Sequence, residues 1–115
     1  MNQADSEKHG EEVFVFAERI TPIEGRGEDV LAITRETAKL LQNQPGMIQS
    51  MVTRSEKKGG EICSFTVWKA KADFQAFMKT DKVAALLKSD DFKNIKSWMA
   101  NYDMQMMNLV DGWHA

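Results

Sequence analysis

Two runs and the turn between them decide the fold: Met47 to Ser55 (MIQSMVTRS), then Lys57-Lys58-Gly59-Gly60, then Glu61 to Trp68 (EICSFTVW). The second run is rich in β-branched and aromatic residues, which fit a pleated, half-buried surface. The first alternates imperfectly but suits a strand. Two glycines between them supply positive φ at little cost, so the pair reads as a β-hairpin. On its second strand Ile62, Ser64, Thr66 and Trp68 share one face, and Cys63, Phe65 and Val67 share the other.

Upstream, Val13-Phe14-Val15-Phe16-Ala17 opens a β-prone run to Ile20, which Thr21-Pro22 is expected to end because proline cannot donate to a ladder. Its opening residues are apolar on both faces, the pattern of a central strand. Gly25-Arg26-Gly27 is a turn. Glu28 and Asp29 then put negative charge where a helix N-terminus favours it. Val30, Ile33, Thr34, Thr37 and Leu41 follow at helical spacing, so a helix is expected over 28–42, stopped by Pro45-Gly46. Downstream, Phe74, Phe77, Met78, Val83, Leu86 and Leu87 mark helical structure over 72–87, with a break near Thr80-Asp81. Ser89-Asp90-Asp91 reads as a fresh cap for a short helix carrying Phe92, Ile95 and Met99. Tyr102 to Val110 (YDMQMMNLV) is the last expected strand.

The order is βαββαβ, a ferredoxin-like α+β fold: a four-stranded antiparallel sheet with helices on one face. Residues 13–115 form one domain, and residues 1–12, with nothing apolar to dock, read as a flexible tail. The sheet face without helices needs cover, and a homodimer packed sheet against sheet supplies it.

Composition narrows the function. The chain has 115 residues, 43% hydrophobic and 28% charged, with net charge −2. Nucleic acid is not an expected partner, because phosphate binding needs a clustered basic surface. No apolar run approaches the roughly 18–20 residues of a membrane span, and the polar start lacks a secretory apolar region, so a cytoplasmic protein is expected. The single cysteine, Cys63, cannot form an internal disulfide. Phosphate loops, metal-ligand spacing and a Ser/His/Asp arrangement are missing, since the two histidines, His9 and His114, lie near the chain ends.

Three pieces in order carry a resemblance: the strand Val13 to Ile20 leading through Gly25 into an amphipathic helix, the junction Gln44-Pro45-Gly46-Met47, and Phe65-Thr66-Val67-Trp68 followed by a charged turn and Asp73-Phe74. Over about Val13 to Val110 the chain resembles the antibiotic-biosynthesis-monooxygenase superfamily of dimeric α+β barrels. The resemblance implies a homodimer with a small-molecule pocket between sheet and helices. It spans quinol monooxygenases, haem-degrading monooxygenases and members with no assigned reaction. In cofactor-independent members an electron-rich phenol or quinol itself reduces dioxygen, and the protein supplies a dry pocket and hydrogen bonds. In haem-degrading members a second-helix histidine ligates iron, assisted by a first-strand asparagine and the third-strand tryptophan. Here the tryptophan is Trp68, the asparagine position is Glu18, and the histidine position falls on Leu87 or Lys96.

The candidate catalytic residues are therefore Glu18 and Trp68. Glu18 shares its strand face with Phe14, Phe16 and Ile20. If that face meets the helices, its carboxylate can act as a base toward a phenolic or C–H proton. Trp68 can stack on a flat ligand or offer its indole N–H, and equally can be a core anchor. Phe16, Met51, Ser64, Thr66, Phe77 and Tyr102 are expected to line the cavity. The leading reading is a cofactor-independent monooxygenase acting on a small aromatic or quinol-like compound. The alternatives are haem binding or degradation with a non-standard ligand, and a non-enzymatic small-molecule-binding or stress-associated dimer.

Overall fold

A computed structural model describes residues 12–112. The expected tail, His9 and the Trp113-His114 end lie outside the described residues. Strand β1 (Phe14–Pro22) leads into helix α1 (Gly27–Lys39), and the hairpin of β2 (Met47–Arg54) and β3 (Ile62–Trp68) follows. Three short helices come next, α2 (Lys71–Met78), α3 (Asp81–Leu87) and α4 (Asp90–Ser97), before β4 (Met99–Asn108). The strands form one antiparallel sheet in the order β2-β3-β1-β4, the ferredoxin-like arrangement, so β1 is indeed central. None of the described helices is long and apolar enough to cross a membrane.

The breaks between the short helices have local causes. The Thr80 hydroxyl accepts from the Val83 N–H at 3.4 Å and donates to the Phe77 carbonyl at 2.8 Å. Ser89 accepts from the Phe92 N–H at 3.1 Å and donates to the Leu86 carbonyl at 2.6 Å. Each hydroxyl closes one helix and opens the next, satisfying groups that helix ends leave orphaned.

Three boundaries differ from those expected. β1 runs through Thr21 to Pro22, where the register with β4 shifts, so proline sits at an irregularity that needs no donor from it. α1 ends at Lys39, not 42, because the chain turns through Asn43 at φ 64° and Gly46 at φ 81°. β4 starts three residues early, at Met99, which pairs with Pro22.

Directly paired residues share a face, so the helix-side face of the sheet can be read in rows. At one end Phe14 and Trp68 pack with Leu41 and Phe74. At the other, Ile20 and Ile62 pack with Val30 and Ile95. Between these clusters lie Phe16 opposite Thr66 and Glu18 opposite Ser64. Along β3 the middle of the floor is therefore short and polar while both ends are bulky and apolar.

Gly46 makes the α1–β2 junction possible. Its φ of 81° strains any L side chain, and an added Cβ would overlap the carboxyl group of Asp73 on α2. Its carbonyl accepts from the Lys69 N–H at 2.8 Å, tying the junction to the end of β3. Gly46→Ala should destabilise the protein by about 1–3 kcal/mol. A thermal melt within a degree of wild type would show that the junction relaxes freely.

Candidate functional site

A cavity of about 770 Å³, open to solvent, lies between the sheet and the helices. That is within the range of pockets for drug-sized ligands. Its floor carries Phe16, Glu18, Ser64, Thr66 and Trp68, and the β4 side chains Tyr102, Met104 and Met106 form one flank. Helical residues including Ile33, Phe74, Phe77 and Leu86 make the roof. The cavity exists because Ser64 and Thr66 are too short to reach the helices that the flanking clusters hold above them.

The aromatic end is tightly organised. Phe74 stacks on Phe16 with ring centroids 4.7 Å apart, and it meets Trp68 edge-on at 5.7 Å. Phe77 lies 5.5 Å from Trp68. Such pairs add about 0.5–1.5 kcal/mol each beyond their buried area. Trp68 itself is 0% exposed, and its indole N–H donates to Thr66 Oγ1 at 2.9 Å. The expected hydrogen bond from Trp68 to a ligand is therefore corrected: that proton is committed within the core. Thr66 is committed too, since its hydroxyl also reaches the Phe16 carbonyl at 3.5 Å.

Glu18 faces the cavity from the centre of β1. Tyr102 Oη donates to Glu18 Oε2 at 2.5 Å. The two residues sit on neighbouring strands, one diagonal step apart: Glu18 pairs with Met104 and Tyr102 with Ile20. A short O–H···O contact of this kind belongs to a charge-assisted bond onto a carboxylate. Burial raises the Tyr102 phenol well above its usual range, and the hydrogen bond to Glu18 and the negative charges of Glu18 and Asp103 push the same way. Tyr102 thus keeps its proton and acts as a donor throughout the neutral range.

Of the expected lining residues, Phe16, Ser64, Thr66, Phe77 and Tyr102 come together with Glu18 and Trp68 around the cavity, and Met51 does not. Met51 pairs with Phe65 on the opposite face of the sheet and is 43% exposed. The cause is a bulge. Met47 pairs with Trp68, but Gln49 pairs with Val67, so two steps along β2 match one along β3. The extra residue flips the parity of everything after it, which a strict alternation starting at Met47 misses. Met104, Met106 and Phe74 went unassigned in the sequence. The two methionines share parity with Tyr102 along β4, which was the available signal.

Haem, which the family resemblance also implies, needs an axial ligand. The two candidate positions for the ligating histidine, Leu87 and Lys96, both line the cavity, and neither is a histidine. Among the described residues no group of three histidine, cysteine or acidic side chains could hold a metal ion. The donor set does not fit the histidine-ligated arrangement.

The family model for antibiotic biosynthesis monooxygenase matches residues 13–95, and the chain belongs to that family. The fold is shared with SnoaB, a cofactor-independent oxygenase from Streptomyces nogalater. The identity is 14% with a TM-score of 0.71, over 88% of this chain and 96% of that one. A Shewanella oneidensis protein is similar at 11% identity and TM-score 0.72, covering 86% of this chain and 92% of the other. A protein of unknown function from Nitrosomonas europaea follows at 12% identity and TM-score 0.69, covering 92% and 97%. At these identities the likeness is one of fold. A comparison with curated proteins finds no match.

The sole tyrosine makes the Glu18–Tyr102 contact measurable by tyrosinate absorbance. The folded phenol holds its proton more tightly than the unfolded one. The stability that Tyr102 contributes should therefore be constant below the unfolded value of about 10 and fall as pH rises past it. Glu18→Gln removes the carboxylate's charge and hydrogen bond but not burial. It should bring the Tyr102 titration to lower pH while leaving it above that of a free phenol. An unchanged titration curve would mean that the two side chains do not meet in solution.

Proposed function

We propose that the protein is a cofactor-independent monooxygenase that oxidises a hydroxylated aromatic or quinol-like compound in this cavity. The observation that carries the reading is a carboxylate, with one oxygen unpartnered among the described residues, on the floor of a cavity lined mostly by aromatic and aliphatic side chains. Membership of a monooxygenase family supports it, as does the description of SnoaB as a cofactor-independent oxygenase.

The chemistry asks little of the protein. Glu18 takes the phenolic proton, and the resulting ring anion is electron-rich enough to reduce dioxygen. A C–O bond forms at ring carbon, the C–H proton is lost, and the O–O bond breaks. A phenol and dioxygen give a quinone and water: one oxygen atom enters the ring, and the other leaves with the two displaced hydrogens. The substrate supplies all four electrons. Phe16, Phe74 and Phe77 offer aromatic faces to the ring, and the bound ring displaces water from that end of the cavity, which strengthens the anion's interactions with fixed dipoles. Trp68 braces this wall from behind, and Ser64 offers a hydroxyl directly across from Glu18.

A homodimer completes the proposal. The sheet face away from the helices carries Val15, Phe65, Val67 and Met107, with Met51 at its margin, and none of the described helices covers it. A second copy laid sheet against sheet buries that apolar surface.

Dioxygen uptake with a panel of phenols and hydroquinones tests the reaction. Glu18→Gln should lower kcat by roughly 100-fold, the scale of a lost general base, with a smaller effect on KM. Uptake equal to wild type would remove Glu18 from the chemistry, and no uptake with any of the panel would remove the reaction. Sedimentation at micromolar concentration should give twice the 13.1 kDa chain mass, and Phe65→Lys should return the monomer.

A further inference from the structure

We propose that Tyr102 sets the ligand specificity of the cavity: its bond to Glu18 Oε2 leaves the carboxylate one oxygen without a partner among the described residues, so the site favours a single isolated hydroxyl and gives little advantage to a vicinal diol. The inference rests on the reading that the cavity takes a hydroxylated aromatic, and on none of the oxygen chemistry.

Most of the hydrogen-bonding capacity on the cavity floor is already committed. The Trp68 N–H is spent on Thr66, and the Thr66 hydroxyl is spent on the Trp68 N–H and the Phe16 carbonyl. Tyr102 spends its proton on Glu18 Oε2. Among the described residues, two groups on the floor keep free capacity: Glu18 Oε1 and the Ser64 hydroxyl opposite it. A carboxylate with both oxygens free accepts two parallel donors, and adjacent ring hydroxyls present such a pair. With Tyr102 on Oε2, one carboxylate oxygen is left without a partner, and one hydroxyl takes it in a charge-assisted bond. The second hydroxyl must share Oε2 with the phenol or turn to a neutral oxygen, on Tyr102 or Ser64, where a bond is about half as strong. Tyr102 is well placed for this restriction. It lies one diagonal step from Glu18 on the edge strand, is 43% exposed, and holds its proton far into alkaline pH.

Tyr102 is thus a positioning residue, and Tyr102→Phe is its natural test, because it deletes one hydroxyl from a half-exposed ring. Two probes differ by one group: β-naphthol, and the naphthalenediol whose two β-hydroxyls are adjacent. Their dissociation constants are measured by calorimetry under nitrogen, so turnover plays no part. Wild type should bind the two within about threefold of each other. Tyr102→Phe should shift the ratio toward the diol by roughly five- to tenfold, the difference between a full charge-assisted bond and the weaker one it replaces. Glu18→Gln should weaken both probes and abolish the shift when combined with Tyr102→Phe. A general loosening of the cavity would weaken both probes together and leave the ratio alone. Saturable binding with an unchanged ratio in Tyr102→Phe overturns the inference and leaves the proposed function standing. A shifted ratio without dioxygen uptake overturns the proposed reaction and supports the inference. Failure of wild type to bind either probe overturns the shared premise and both with it.

Discussion

The separation between sheet and helices is the constraint on which the site depends, and the buried indole of Trp68 sets it at one end. Phe14, Phe74 and Phe77 close around that ring, so α2 cannot settle onto the sheet. At the other end Ile20 and Ile62 hold Val30 of α1 and Ile95 of α4 at a similar height. Two bulky clusters with a row of short side chains between them span a gap. Packing density in proteins normally removes such gaps, since voids forfeit dispersion contacts on both walls. This one persists because it is wide, open to water and floored by polar groups that water can satisfy.

That architecture was largely legible in the sequence. Hydrophobic spacing located the helices, Thr80 and Ser89 marked their breaks, and the alternation of Ile62, Ser64, Thr66 and Trp68 named the cavity floor. The failures have one physical origin: they depend on register between strands far apart in the chain. Met51 was placed on the wrong face because a single extra residue near Ile48 inverts the alternation of β2. Tyr102 and Glu18 stand 84 positions apart, and nothing local to either says that their side chains meet. Seeing that pair required knowing that β4 lies beside β1, that it starts at Met99, and which residue pairs with which.

Membership of the antibiotic biosynthesis monooxygenase family and the departure at Glu18 bear on different links of the chain from sequence to function. The family match lies in spacing, turns and apolar periodicity, which specify how elements pack, and folds persist at 14% identity because those features survive substitution. The chemistry resides in side chains that packing does not dictate. Glu18 lies on the cavity floor and packs in neither flanking cluster, so the role proposed for its carboxylate is a separate matter from the fold.

A carboxylate facing an apolar cavity is costly unless its oxygens are hydrogen-bonded. Two outcomes are open to such a group: it can take a cation, which would neutralise it, or a neutral donor, which stabilises it without cancelling its charge. Glu18 has the second. The Tyr102 hydroxyl satisfies one oxygen and leaves the negative charge available at the other. The same phenol, half-exposed on the edge strand, keeps part of its own solvation in doing so. The pair therefore bears on two opposed demands: burial favours a satisfied carboxylate, and the proposed proton abstraction favours an unsatisfied one. One oxygen on Tyr102 and the other open to the proposed ligand would meet both.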